Sequence, residues 1–224
     1  MSSRLRLALF DVDGTLIDSQ RFILAAMRAA FADLGRPAPP DGAIRAIIGL
    51  SLVEAAAALD PGLSDVETVE IAACYKRAFI RIRAETGGEA AMPLYPGARA
   101  ALARLSRTER LLGVATGKAR RGLDHLLDAH DLRGFFLTLQ TSDDAPSKPH
   151  PGMVLNALRA TGAQACDAVV IGDTIYDVAM ARNAGARAIG VAWGYHAPDA
   201  LLAAGAEIVI DHFDALDAAL EALE

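Results

Sequence analysis

The chain has 224 residues, of which 53% are hydrophobic and 22% charged, with a formal net charge of −6. This composition supplies a buried core and excludes wholesale disorder, and the acidic balance argues against a surface built to track nucleic acid. Cysteine occurs only at Cys74 and Cys166, which excludes a disulfide framework or a Cys-rich zinc site and suits a reducing cytoplasm.

In chain order, residues 5–10 form a compact apolar run, too short for a leader or a membrane span, that meets Asp11-Val12-Asp13-Gly14. It reads as a buried strand entering a turn. Residues 18–34 carry apolar groups at helical spacing, and 35–40, rich in glycine and proline, break the chain. Ser51 with Glu54 and Ser64 with Glu67 match capping boxes, each opening a helix. The second helix runs to about residue 85 and stops at Gly87-Gly88. No strand pattern occurs between 18 and 91.

After Pro93 the rhythm changes. Helices are expected over 97–107, 120–130, 153–160 and 175–184, with two more near the C-terminus. Strands are expected over 111–115, 135–140, 168–171, 188–192 and 207–210. Short apolar strands alternating with helices indicate a parallel sheet covered on both faces. The expectation is an α/β chain in which residues 1–17 and 93–224 form the core and 18–92 an all-helical insert.

Polar residues fall at the ends of these strands: Asp11 after the first, Thr116 after 111–115, Asp173 after 168–171. Ligands of open parallel sheets bind beyond the carboxyl ends of the strands. Lys148 sits in a loop just before a helix, from which its amine reaches the same rim.

These stretches, Asp11-Val12-Asp13-Gly14-Thr15, Ala115-Thr116-Gly117, Ser147-Lys148-Pro149 and Gly172-Asp173-Thr174-Ile175-Tyr176-Asp177, occur in the order of four motifs of the haloacid dehalogenase superfamily. The chain resembles that superfamily over essentially its whole length, and most of all its phosphoglycolate-phosphatase-like branch. The resemblance implies a Rossmann-like core with a helical cap inserted between the first and second motifs. It also implies a Mg²⁺-dependent phosphatase acting on a small phosphorylated metabolite, with 2-phosphoglycolate first among candidates. Asp11 then resembles the nucleophile, and Asp13 the acid that protonates the leaving oxygen and later activates water. Thr116 and Lys148 complete the catalytic set. Gly14, Thr15, Gly117 and Lys118 are expected around the phosphoryl group, and Asp11, Asp13 (through its carbonyl), Asp173 and Asp177 around the metal. Asp11 is expected ionised by the metal and Lys148, and Asp13 protonated once substrate binds.

Each residue also has an ordinary reading. Asp11 and Asp13 suit a turn, Thr116, Asp173 and Thr174 suit helix caps, and Lys148 suits a solvated loop. Asp18 reads as a helix cap. Arg45, Gly49, Ser51 and Lys76 are cap positions where a solvated helix face or a capping box suffices. The five histidines lack metal-ligand spacing. Residues 113–118 depart from a P-loop, and no dinucleotide fingerprint follows a strand. Rival functions are an inorganic pyrophosphatase or nucleotidase of the same branch, a phosphomutase, or an inactive binding protein on the same scaffold. A soluble cytoplasmic protein with no membrane or nucleic-acid partner is expected, as monomer or homodimer.

Overall fold

The computed structural model describes residues 5–224, so residues 1–4, which open the expected core segment, lie outside the described residues. Six parallel strands, β1 (Leu7–Phe10), β2 (Leu111–Ala115), β3 (Thr138–Gln140), β4 (Ala168–Gly172), β5 (Arg187–Val191) and β6 (Ile208–Ile210), form one sheet in the order β3-β2-β1-β4-β5-β6. β1 is central, paired with β2 through Leu7–Leu111 to Phe10–Val114 and with β4 through Leu7–Ala168 to Phe10–Ile171. All four β1 side chains are buried, as a strand covered on both faces requires.

Side-chain alternation divides the core. Ala8, Phe10, Val169 and Ile171 pack on one face with helices α5 (Ala98–Leu105), α6 (Arg120–Ala129) and α10 (Leu216–Ala222). Leu7, Leu9, Ala168 and Val170 pack on the other with α7 (Gly152–Thr161), α8 (Ile175–Asn183) and α9 (Pro198–Ala204). Each fully buried aliphatic side chain contributes about 1.5–3 kcal/mol. The strand order turns at β1, so the crevice between the carboxyl ends of β1 and β4 is the switch point where such sheets take ligands.

Between β1 and β2 the described chain is helical: α1 (Gln20–Asp33), α2 (Asp41–Ala46), α3 (Leu52–Leu59) and α4 (Asp65–Glu85), followed by a short 3₁₀ turn. These helices enclose an apolar cluster of their own, with Ile23, Met27, Phe31, Ile44, Ile48 and Ile71 among its members. The expected cap is present as an all-helical layer. Its junction with the core is tied by a bridge between Ile17 and Leu94 and by the Asp18 N–H donating to the Pro93 carbonyl at 2.9 Å.

Two local expectations need correction. The Ser64–Glu67 capping box forms, with the Ser64 N–H donating to Glu67 Oε2 at 2.8 Å. The Ser51–Glu54 box does not, because the Ser51 N–H instead donates across the interface to Ser147 Oγ at 2.7 Å. Docking of cap on core overrides the local motif. Residues 133–135 form a 3₁₀ turn, which leaves β3 only three residues long. Helix α2 carries no strong periodic signal because it is six residues long and includes Gly42.

Candidate active site

The expected residues meet at the switch point. Asp11 follows β1, Asp173 follows β4, and Lys148 enters from the loop before α7; all are 1% exposed or less. Lys148 Nζ lies 2.9 Å from Asp11 Oδ1 and 2.5 Å from Asp177 Oδ1. The solvated-lysine reading is therefore wrong: the ammonium is held inside the protein by two carboxylates. Asp177 is anchored in turn by a capping box at the start of α8, accepting from Thr174 Oγ1 at 2.6 Å and from the Thr174 N–H at 3.1 Å.

Asp173 is fixed from two sides, by Thr15 Oγ1 donating to Oδ1 at 2.9 Å and the Tyr195 N–H donating to Oδ2 at 2.9 Å. Thr15 thus spends its hydroxyl on a carboxylate and does not line the cavity above Asp11. Gly14, at φ +89°, passes so close to Asp173 and Tyr195 that a Cβ would collide with both side chains. Only glycine suits that conformation and that space.

Asp13 and Thr116, with Gly117 and Lys118, line the cavity beside Asp11. Asp13 Oδ1 accepts from Ser19 Oγ at 2.6 Å, and Lys118 Nζ lies 3.0 Å from Oδ2. Lys118 also lies over the Phe79 ring of the cap, 5.2 Å from its centroid. Thr116 is not the cap of α6, whose N-cap position is Ala119; its Oγ1 accepts from the Lys118 N–H at 3.3 Å. The turn after β2 is kept open by Gly117, because cap carbonyls cover it: a Cβ there would stand 2.7 Å from the Gly49 oxygen and 2.9 Å from that of Leu50.

The charges do not balance. Three buried carboxylates, Asp11, Asp173 and Asp177, bring oxygens within 4.8 Å of one another, and Lys148 is the ammonium among them. Burial pushes the Asp11 carboxyl up to about 7, against the opposing pull of Lys148. Burial, then Asp11 and Asp177, raises Asp173 well above the carboxylate range. Burial also works against the charged form of Lys148, but Asp11 and Asp177 outweigh it and hold the proton on. Burial and the neighbouring carboxylates thus work against the ionised Asp11, and further positive charge beside Lys148 would favour it. Asp11 Oδ1 is buried and accepts no aligned hydrogen bond even with Lys148 beside it. All-oxygen donors and an excess of negative charge together fit a hard divalent cation.

A family model described as haloacid dehalogenase-like hydrolase matches residues 8–191. The chain belongs to that family. A Dickeya dadantii protein named as a probable phosphatase, IndB, is 37% identical over 97% of this chain and 94% of its own. A plasmid-borne phosphoglycolate phosphatase of Cupriavidus necator is 33% identical over 95% of this chain and 91% of its own. Among solved structures, a hydrolase from Pseudomonas syringae superposes with a TM-score of 0.85 at 27% identity, covering 96% of this chain and 98% of that one. This haloacid dehalogenase-like hydrolase is a phosphatase. Among its described residues no helix is long and apolar enough to cross a membrane.

Several residues of this hydrolase's site carried no sequence signal. Ser19, Trp193 and Tyr195 support the loops around Asp13 and Asp173: Trp193 Nε1 donates to the Thr15 carbonyl at 3.1 Å, and Tyr195 Oη lies 3.5 Å from Ser19 Oγ. The partners are up to 178 residues apart in sequence, and only the folded sheet brings them together. His196 is structural, as expected, accepting the Ile175 N–H on Nδ1 at 3.1 Å and facing the Ala46 carbonyl with Nε2. Arg45 is turned to Gln20, 2.6 Å away, whereas Lys76 lines the cavity.

Proposed function

We propose that this phosphatase hydrolyses a small soluble phosphate monoester through an aspartyl-phosphate on Asp11, with Mg²⁺ as its cofactor. The observation that carries the reading is the Asp11–Lys148 ion pair at 2.9 Å with the Asp13 carboxyl beside it on the cavity floor. Asp11 and Asp173, with the Asp13 carbonyl, would hold the ion, and Asp177 steadies the set through Lys148. Bound there, Mg²⁺ supplies the positive charge that keeps Asp11 ionised and offsets charge on the phosphoryl oxygens.

The chain's own residues do the rest. The Asp11 carboxylate attacks phosphorus, forming an O–P bond as the bond to the alcohol oxygen breaks. Asp13 hands its proton to that leaving oxygen, then takes one from the water that hydrolyses the acyl phosphate. Thr116 Oγ1 and the N–H groups at Gly117 and Lys118 hold phosphoryl oxygens, and Lys148 balances their charge. Gly14 and Thr15 keep Asp173 in place. Residues 18–92 act as a cap that closes over this floor and 1–17 with 93–224 as the core, in a cytoplasmic protein.

2-Phosphoglycolate is the first substrate to try, from the name of the Cupriavidus necator relative. The test is turnover of p-nitrophenyl phosphate with Mg²⁺, with EDTA, and by Asp11→Asn, followed by phosphate release from 2-phosphoglycolate, pyrophosphate, sugar phosphates and nucleoside monophosphates. Activity only in the first condition supports the mechanism. Activity that survives both EDTA and Asp11→Asn overturns it.

A further inference from the structure

The cavity above Asp11 measures about 540 Å³, within the range of roughly 300–1,000 Å³ that encloses drug-sized organic molecules. A two-carbon phosphate ester occupies a small part of it. Its cap wall is mostly apolar: Ile23, Met27, Ile48, Ala72 and Met92 line it and are buried, beside the polar Ser51, Lys76, Arg83 and Glu89. Tyr75 and Phe79 add a stacked pair of rings, 5.8 Å between centroids and 28° between planes. The Tyr75 hydroxyl takes up no hydrogen bond among the described residues.

The cations nearest the apolar wall are already engaged. Of the cations lining the cavity, Arg83 is paired with Glu89 at 2.5 Å and Lys118 with Asp13 at 3.0 Å. Lys76, Arg121 and His125 line the cavity's exposed edge, away from the buried apolar wall. An anionic group seated on the apolar wall would be desolvated against hydrocarbon, which is costly, and only at the exposed edge would it meet Lys76 or Arg121. An apolar ring would instead gain from leaving water.

From this cavity we propose that the substrate is a phosphate monoester of a ring-bearing alcohol with an apolar face, seated against Tyr75 and Phe79, and not a two-carbon phosphoacid. The Tyr75 hydroxyl meets a polar substituent on that ring. This rests on the phosphatase reading above and narrows the alcohol it releases.

Primary alkyl phosphates of matched leaving oxygen test it without a bias from leaving-group acidity. With Mg²⁺ and the whole protein, kcat/KM is compared for 2-phenylethyl phosphate, ethyl phosphate and 2-phosphoglycolate. The expected result is a preference of at least about tenfold for 2-phenylethyl phosphate over the other two. Phe79→Leu and Tyr75→Phe keep the wall apolar, and their folding is checked by their thermal transitions. Phe79→Leu is expected to lower the ratio of 2-phenylethyl to ethyl phosphate. Tyr75→Phe is expected to keep that ratio and to lose discrimination for a ring bearing a hydroxyl. Equal or reversed preference among esters hydrolysed in an Asp11-dependent manner overturns the substrate class and leaves the phosphatase intact. No Asp11-dependent hydrolysis of any ester overturns both.

Discussion

Lys148 Nζ stands 2.9 Å from Asp11 Oδ1 with both side chains closed to solvent, 0% and 2% exposed. A buried ammonium is tolerated only while its carboxylates remain, and they only while it remains. Lys148→Met is therefore expected to lose turnover and also to destabilise the fold, by about 3–5 kcal/mol, because Asp11 and Asp177 are left without their counter-charge. Urea denaturation of the metal-free protein measures this. An unchanged midpoint would mean that the cluster does not depend on its lysine.

Asp13 is held ready by Ser19 at 2.6 Å and Lys118 at 3.0 Å. If it protonates the leaving oxygen, its removal must matter most when that oxygen is basic. Asp13→Asn is expected to lower kcat for alkyl phosphates by about 10²–10⁴-fold and to cost much less with p-nitrophenyl phosphate, whose leaving group needs no proton. Equal losses on both would assign Asp13 to positioning alone.

Closure of the cap can be probed at Gly117, whose missing Cβ is the space taken by the Gly49 and Leu50 carbonyls. These are backbone atoms and cannot rotate away. Gly117→Ala is expected to hold the cap loop off the core and reduce kcat/KM by at least about tenfold, as a misplaced substrate-positioning element does, while circular dichroism stays unchanged. Nearby, Tyr176 Oη donates to the Ala46 carbonyl at 3.0 Å. Tyr176→Phe removes about 0.5–1.5 kcal/mol of clasp, so amide exchange over residues 46–51 should quicken. Exchange that does not change would show that the clasp is not made in solution.

The cap has its own acid sensitivity. The Ser64 N–H, then the Arg36 guanidinium and the Ser64 hydroxyl, hold Glu67 down at about 2, below its ordinary 4.5. A carboxyl depressed in the fold contributes stability above its unfolded value and loses it as pH falls through the folded one. Glu67→Gln keeps the capping geometry but not the charge on Arg36. Wild type should be the more stable at pH 7, with the two converging as pH falls from about 4.5 toward about 2. A gap that is constant with pH would remove the charge from the explanation.

Periodicity and strand-end residues were enough to find the sheet. Leu111–Ala115 is the strand expected, and Asp11, Thr116 and Asp173 stand at one rim because a parallel sheet puts every strand's carboxyl end there. Motifs that complete themselves within four residues were legible too, as Ser64 with Glu67 shows. Where tertiary contact competes, the local reading failed: Ser51 gave its N–H to Ser147. Thr15, Ser19, Trp193 and Tyr195 owe their places to contacts across the finished fold. The depth at which Lys148 is buried follows from its two carboxylates, one of them 29 residues away, and nothing in the loop sequence announces it.

The phosphoryl group is proposed to pass through the side chain of Asp11. Enzyme quenched in acid during turnover with Mg²⁺, reduced with borohydride and digested for peptide mass spectrometry tests it directly, since an aspartyl-phosphate is reduced to homoserine. Homoserine is expected at residue 11 alone, with none in enzyme quenched without substrate. Reduction at another carboxylate, or none while turnover proceeds with the acyl phosphate shown to survive the quench, would contradict it.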